Sequence, residues 1–337
     1  MMDLPPPNFS FSLPSLNDGL HLECRVYLPT ELQNIQTATL WNPRGAIVAH
    51  PYARLGGCYD DPVVSFIGGE LLQTGYLVGT FNFRGAGASE GQTSWTAKSE
   101  LEDYVAFYGF MLQYLQRLRH AFAKNQLHES ETPDGDSNDG IRLILGGYSF
   151  GSLIASHAPD VEVLQDIFRS STKSPSTKSI GEIGNVARKI ATASTRHLGP
   201  ANPDQFVQET AADDSDSDFQ PRASPSVSIA YLLVSPLLPP VSHFLTCFST
   251  LSLNVGTGKR IQVRPDHQLS THSTLALYGD QDIFTSAPKL QRWSAELGRV
   301  PQSRFQGCEI GGAGHFWRED GVETRVRNHL REWLHRI

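Results

Sequence analysis

The stretch "LILGGYSFGS", residues 143–152, decides how the chain is read. An apolar run of strand-forming residues ends at two glycines, and Ser149 follows between Tyr148 and Phe150, with Gly151 behind it. Gly147-Tyr148-Ser149-Phe150-Gly151 fits G-x-S-x-G, where the glycines permit a tight strand-to-helix turn and close packing of helix on sheet. The small residues of "GSLIASHA" (151–158) suit the helix that would follow. A serine at such a turn either caps the helix or is held up as a nucleophile. Only a base and an orienting acid elsewhere in the chain can separate the two.

The surroundings place the motif in an α/β layout. "GAIVAH" (45–50), "YLVGTFNF" (76–83), "IRLILG" (141–146), "SIAYLLVS" (228–235), "STLALY" (273–278) and "RFQGCEI" (304–310) supply strands, the continuous apolar runs among them being those of strands covered on both faces. Ahead of them, residues 9–29 alternate apolar and polar on both sides of Asn17-Asp18-Gly19, the pattern of a β-hairpin. Asp61-Pro62 opens a helix that closes before Gly75. Ser99 and Glu102 form a capping box before a long helix whose apolar positions include Leu101, Tyr104, Val105, Tyr108, Leu112, Leu115 and Leu118. The chain ends in a helix with Val322, Val326, Leu330 and Trp333 on one face. Strands alternating with helices predict a mostly parallel central sheet with helices on both faces.

Residues 160–225 break this rhythm. "RSSTKSPSTKS" (169–179) and "ETAADDSDSDFQPRASP" (209–225) are polar and of low complexity, and between them Ile183, Val186 and Ile190 share a helical face. The expected organisation is a core of residues 1–159 and 226–337 with 160–225 as an inserted cap or flexible segment. The apolar stripe is expected over the pocket mouth, tethered by its polar flanks.

Composition removes several classes of function. The net charge of −7 argues against a general affinity for nucleic acid or anionic membrane. Cys24, Cys58, Cys247 and Cys308 are scattered, with no metal-ligand spacing, as suits free thiols in a reducing compartment. The start lacks the basic and apolar regions of a secretory signal, and the longest apolar stretch is broken by Pro236, Pro239 and Pro240. A soluble cytoplasmic protein is expected. Neither a metal nor a cofactor is called for. The glycines of "FRGAGASEG" (83–91) run G-x-G-x-x-x-G and no acid ends a strand about 20 residues later, so this is not a dinucleotide fingerprint. Arg84 is expected to brace that loop through hydrogen bonds.

Two later loops supply the missing partners. "LALYGDQDIFTS" places Asp282 just beyond a strand, and "CEIGGAGHFWRE" places His315 in a glycine-rich loop beyond the last strand. All three residues follow strands at their carboxyl ends, where open α/β sheets keep their sites. The chain order Ser, Asp, His is that of the α/β-hydrolases. Asp280, two residues from Asp282, is the competing acid; as the residue directly after Gly279 it is expected to be tied into the turn. The other histidines, His50 among them, are expected to be structural or surface residues.

With these residues in place, the chain resembles the α/β-hydrolase superfamily. Within it, "HPYARLGGCYDD", "FNFRGAGASEG", "GGYSFGS", "YGDQD" and "GAGHFW" look like the small dienelactone-hydrolase-like serine hydrolases. The resemblance covers nearly all of the chain apart from the insertion and the ends. It implies the α/β-hydrolase fold and a Ser149–His315–Asp282 triad acting on a small-molecule acyl substrate. It also implies an oxyanion hole made by the backbone N–H groups of Phe150 and Tyr52. His50-Pro51 stands where many relatives have His-Gly, and proline has no N–H to donate, whereas Tyr52 does. The expected reaction is cleavage of an ester, lactone or thioester through an acyl-enzyme. C–C bond hydrolysis and acyl transfer or cyclisation use the same triad, and a non-catalytic ligand-binding protein is the reading from another class. Oligomeric state is not legible in the sequence.

Overall fold

Ala46–Ala49 and Leu143–Tyr148 carry no apolar–polar alternation because neither face of these strands meets water. In the computed structural model, which describes residues 3–33, 35–38, 40–126, 140–169, 175–196, 226–255 and 259–337, both are central strands of one large sheet. The strands are β1 (Phe9–Pro14), β2 (His21–Tyr27), β3 (Arg44–Ala49), β4 (Leu77–Phe81), β5 (Ile141–Tyr148), β6 (Val227–Val234), β7 (Leu253–Val255), β8 (Lys259–Ile261), β9 (Ser273–Gln281) and β10 (Phe305–Gly314). Eight of them form the sheet, in the order β1-β2-β4-β3-β5-β6-β9-β10, while β7 and β8 pair as a separate ribbon. The hairpin β1–β2 and its junction with β4 are antiparallel. From β4 to β10 every neighbouring pair is parallel.

The described helices are α1 (Ile35–Ala38), α2 (Pro62–Gln73), α3 (Lys98–Gln126), α4 (Phe150–Ser156), α5 (Val161–Arg169), α6 (Pro175–Arg196), α7 (Val241–Leu245), α8 (Pro265–Thr271), α9 (Ala287–Gly298) and α10 (Val322–Leu334). Successive side chains of a strand point to opposite faces, so the sheet feeds two cores. Leu143 and Leu145 of β5 join the aromatic residues Phe107, Phe110 and Tyr114 of α3 on one side. Ile144 joins Phe66 and Ile67 of α2 and Val326 and Leu330 of α10 on the other. On that second side the fully buried Glu70 of α2 is held by Arg327 and Arg331 of α10, with Arg331 Nη2 at 2.9 Å. The desolvation of the carboxylate is thus met by two guanidinium groups that also lock the helices together.

Strand order dictates where a site can form. β3 has β4 on one side and β5 on the other, so the chain steps from β3 to β4 in one direction and then crosses back over β3 to reach β5. The crevice beyond the carboxyl ends at such a reversal is where open α/β sheets bind ligands. Residues 50–57 leave β3 there, and Ser149 follows β5 there.

Three local expectations meet a different structure. The long helix begins at Lys98, so Ser99 lies inside it and does not cap it with Glu102. The turn is closed instead by Glu100, which accepts from the Ser94 N–H at 2.6 Å, while Glu102 hydrogen-bonds Asn17. Second, the insertion's helix does not overlie the pocket. Ile183, Ala187 and Ala191 of α6 are buried in the α3-side core, Ser194 Oγ lies 2.6 Å from the Tyr114 hydroxyl, and α6 packs on α3 and β1. An apolar stripe buries itself against the largest apolar surface within reach, and the aromatic flank of α3 offers one. The polar flanks 170–174 and 197–225 lie outside the described residues, as does 127–139 in the link to β5. Third, the strands and helices include β7, β8 and α5, the last within the stretch expected to break the rhythm although Val161, Leu164 and Ile167 recur there at helical spacing.

Arg84 braces its loop. Its guanidinium meets the buried Asp103 of α3 (Nη2–Oδ1 2.6 Å), Asp18 in the β1–β2 turn (Nη1–Oδ2 2.7 Å) and Ser15 (3.0 Å). With those partners it ties the loop after β4 to the hairpin and to α3.

Candidate active site

Ser149 stands between β5 and α4 in a conformation that side chains rarely adopt, φ 55° and ψ −113°. The strain persists because the turn has no room to relax. A Cβ on Gly147 would fall 2.3 Å from the Gly151 carbonyl carbon, and one on Gly151 would fall 2.4 Å from the Ala49 oxygen. The two glycines therefore let the turn close on itself and press against the end of β3. Ser149 N–H donates to the Val234 carbonyl at 2.8 Å, and the Ser152 hydroxyl donates to the Ser149 carbonyl at 2.7 Å. Backbone held in this region costs about 1–3 kcal/mol. Glycine tolerates it, so Ser149→Gly is expected to stabilise the fold by about 1 kcal/mol or more, visible as a raised urea midpoint. An unchanged or lowered midpoint would show that the turn stores no strain.

The Ser149 side chain makes no cap hydrogen bond to α4. Its Oγ lies 2.9 Å from Nε2 of His315, and Nδ1 of that ring lies 2.7 Å from Oδ2 of Asp282. All three side chains are buried. Asp282 follows β9, and its Oδ1 accepts the N–H groups of Phe284 (2.8 Å) and Thr285 (3.1 Å). Burial pushes this carboxyl up, but its hydrogen bond to His315, the imidazole's charge and the two backbone donors outweigh burial and hold it below the usual carboxylate range. Asp282 is thus an anion near neutral pH and can only accept. The proton sits on Nδ1 of His315, which leaves Nε2 to accept from the serine hydroxyl. Asp280 points elsewhere: it is exposed, and its Oδ1 accepts the Gly312 N–H at 2.7 Å.

His315 is fixed by residues whose sequence gives little warning. The Tyr148 hydroxyl donates to the His315 carbonyl at 2.9 Å, and burial raises the pKa of that hydroxyl, keeping it a donor. The Phe284 ring meets the imidazole edge-on at 4.5 Å between centroids. Ser235 reaches the same carbonyl at 3.4 Å and accepts from the indole N–H of Trp317 at 2.9 Å. Tyr148 directly precedes the serine and Phe284 lies two residues after the aspartate, and that nearness is the only signal the sequence carries for them.

His50 has a defined task in the loop after β3. Its Nε2 accepts the Phe83 N–H at 2.9 Å, so its proton is on Nδ1, which donates to the Pro51 carbonyl at 2.6 Å. Burial lowers its pKa to about 4, and the ring is neutral. The Pro51 carbonyl and the Tyr52 N–H belong to one planar peptide, so holding the oxygen also aims the N–H. On its other side this carbonyl is met by Gly57, where an added Cβ would fall 2.2 Å from the oxygen. The Tyr52 and Phe150 rings lie 5.1 Å apart, so the two expected oxyanion donors belong to adjoining residues, one in the loop after β3 and one at the start of α4.

Above these groups is a cleft of about 240 Å³. Ser149 and His315 form its floor, Tyr52, Leu237, Leu245, Phe284 and Phe316 its apolar walls, and Asp61 and Arg318 add charge. No described residue of 160–225 lines it. Among the described residues, no group of three His, Cys, Asp or Glu is placed to hold a metal ion, and no helix is long and apolar enough to cross a membrane.

Several solved structures are similar to this chain along nearly its whole length. An α/β serine hydrolase without lid from Xanthomonas campestris superposes with a TM-score of 0.50 at 16% identity, over 98% of this chain and 95% of that one. The chain has the α/β-hydrolase fold. A serine hydrolase homologue from Coxiella burnetii gives a TM-score of 0.48 at 17% identity over 97% and 98% of the two chains. An esterase from Pyrococcus furiosus gives 0.45 at 13% identity over 97% and 89%. No family model and no curated protein matches the sequence. At such identities the likeness carries the hydrolase fold and not the reaction.

Proposed function

We propose that the protein is a serine hydrolase that cleaves a carboxylic ester, thioester or lactone through an acyl-enzyme on Ser149. The reading rests on one observation above all: the hydrogen-bonded line from Ser149 Oγ through the His315 ring to the Asp282 carboxylate, at 2.9 and 2.7 Å. A serine hydroxyl needs a base to attack, and the base needs a partner to hold its tautomer.

In the proposed sequence Oγ attacks the substrate carbonyl carbon while its proton passes to Nε2 of His315. The carbonyl π electrons move to oxygen, and the N–H groups of Phe150 and Tyr52 receive the oxyanion. Asp282 offsets the charge of the imidazolium. The bond to the leaving group then breaks, and Nε2 delivers the proton to the departing oxygen or sulfur. Water attacks the acyl-enzyme with Nε2 again taking a proton, and the acid leaves as Ser149 regains its hydrogen. The buried, neutral His50 positions the Tyr52 peptide and exchanges no proton.

A fluorophosphonate probe reports on the central step, because it is captured only by an activated serine. The expected result is a single labelled site at Ser149 on wild-type protein, together with release of free acid from an ester panel followed by mass. Absence of labelling in folded protein would end the hydrolase reading in favour of a binding protein. Labelling with acyl products other than the free acid would convert the reading to acyl transfer.

A further inference from the structure

Behind the cleft lies a second cavity, larger than the first, at about 350 Å³. The two share a wall. α7 runs between them, with Val241 and Leu245 facing the cleft and Ser242 and Thr246 facing the cavity, while Leu237 lines both. On its far side the cavity follows the nucleophile helix, touching Ser152, Leu153 and Ser156 within two turns of Ser149. The cleft alone is smaller than the roughly 300–1,000 Å³ usual for ligand pockets, whereas the cavity falls within that range.

The lining restricts what could enter. No lysine or arginine contributes to it, and Asp266 is its one carboxylate. The hydroxyls of Ser152 and Ser156 donate to the helix carbonyls of Ser149 (2.7 Å) and Leu153 (2.8 Å), so their oxygens can face the cavity only as acceptors. His157 Nδ1 donates to the Leu153 carbonyl at 2.8 Å, and burial lowers the pKa of this ring, leaving a neutral imidazole there. Leu153, Leu233, Leu251, Leu269 and Trp293 give the cavity apolar walls, beside polar residues that include Ser242, His243 and Thr246. A chain ending in carboxylate would find no lysine or arginine to pair with and would face the like charge of Asp266.

We propose that this cavity is the tail pocket of the enzyme, taking an uncharged alkyl chain of the substrate, and that Leu237 is the partition that sets how much of the chain enters. The assignment rests on the hydrolase reading of Ser149 and adds to it the substrate class: esters with a neutral chain longer than the cleft alone can hold. Each methylene moved from water into such a lining gains about fourfold in affinity. Removing the partition therefore extends the preferred chain, and filling the cavity shortens it.

Two ester series test the proposal on wild type, Leu237→Ala and Ser242→Phe: ethyl esters of two- to ten-carbon acids, and acetates of two- to ten-carbon alcohols. The series whose kcat/KM climbs with length shows which side of the ester occupies the cavity. Within it, the ratio of ten-carbon to two-carbon activity is expected to rise about tenfold in Leu237→Ala and to fall about tenfold in Ser242→Phe. Because the two substitutions act in opposite directions from opposite sides of the wall, either one that folds decides the matter. Fluorophosphonate labelling of the same proteins separates the two ways of failing. Labelled proteins whose length ratios stay at the wild-type value overturn the tail pocket alone. A wild-type protein that no fluorophosphonate labels overturns the hydrolase reading and the tail pocket with it.

Discussion

Replacing Ser149 with alanine is expected to lower kcat by about 10⁵-fold or more on the best substrate of an ester panel, with the fold unchanged. On the proposed reading, alanine removes the hydroxyl oxygen that His315 activates from 2.9 Å and that forms the acyl-enzyme. What remains is binding and the oxyanion donors, which together give only a residual rate over water. The Ser149 side chain caps nothing in α4, so its loss leaves the helix start as it was. Rates and thermal melts on the two proteins check both halves. A variant that keeps a tenth of the wild-type rate would place the nucleophile elsewhere.

The second large effect concerns the acid. Asp282→Asn is expected to reduce kcat by about 10³–10⁴-fold, and Asp280→Asn by less than about threefold. The difference follows from what each oxygen touches. Oδ1 of Asp282 accepts two backbone N–H groups, from Phe284 and Thr285, so an asparagine must place its carbonyl oxygen there. Its amide NH₂ then faces Nδ1 of His315 and can only donate. The ring proton is driven to Nε2, which no longer accepts from Ser149, and the nucleophile loses its base. Asp280 accepts a single N–H from Gly312, a task the asparagine carbonyl performs equally well. Steady-state kinetics at matched folded content measure both. The opposite ranking would transfer the role to Asp280.

The sheet and the position of Ser149 are legible because their causes are local. Continuous apolar runs imply strands covered on both faces, and glycines beside the serine imply a turn with no space for side chains. In the sequence the choice between Asp280 and Asp282 rests on loop position and the G-x-x-D spacing after the strand, since both are acids in one short loop, and the contacts to Gly312 and His315 tell them apart. The seat of α6 is illegible for another reason. Its periodicity states that Ile183 will be buried, but the surface that buries it, the flank of α3, is a property of the assembled fold. Likewise the Ser99–Glu102 pattern competes with Glu100, whose partner Ser94 lies before the helix and outside the capping template. Tyr148 and Phe284 hold His315 across 167 and 31 positions, beyond the reach of any local rule.

The strand order that creates the crevice also governs when it comes into being. Ser149 and His315 are 166 positions apart, and Asp282 and His315 are 33 apart, each at the end of a different parallel strand. Parallel pairings are non-local and form slowly, because the closure of long loops precedes the contacts that reward it. As synthesis proceeds from the N-terminus, the Ser149 turn and its β3, β5 and β6 neighbours are complete in sequence before the proposed base has left the ribosome. His315 follows β10, the last strand in the sequence and one edge of the sheet. On the proposed reading, a nascent chain that lacks β10 carries Ser149 without its base, so the reactivity of the serine depends on the edge of the sheet being complete.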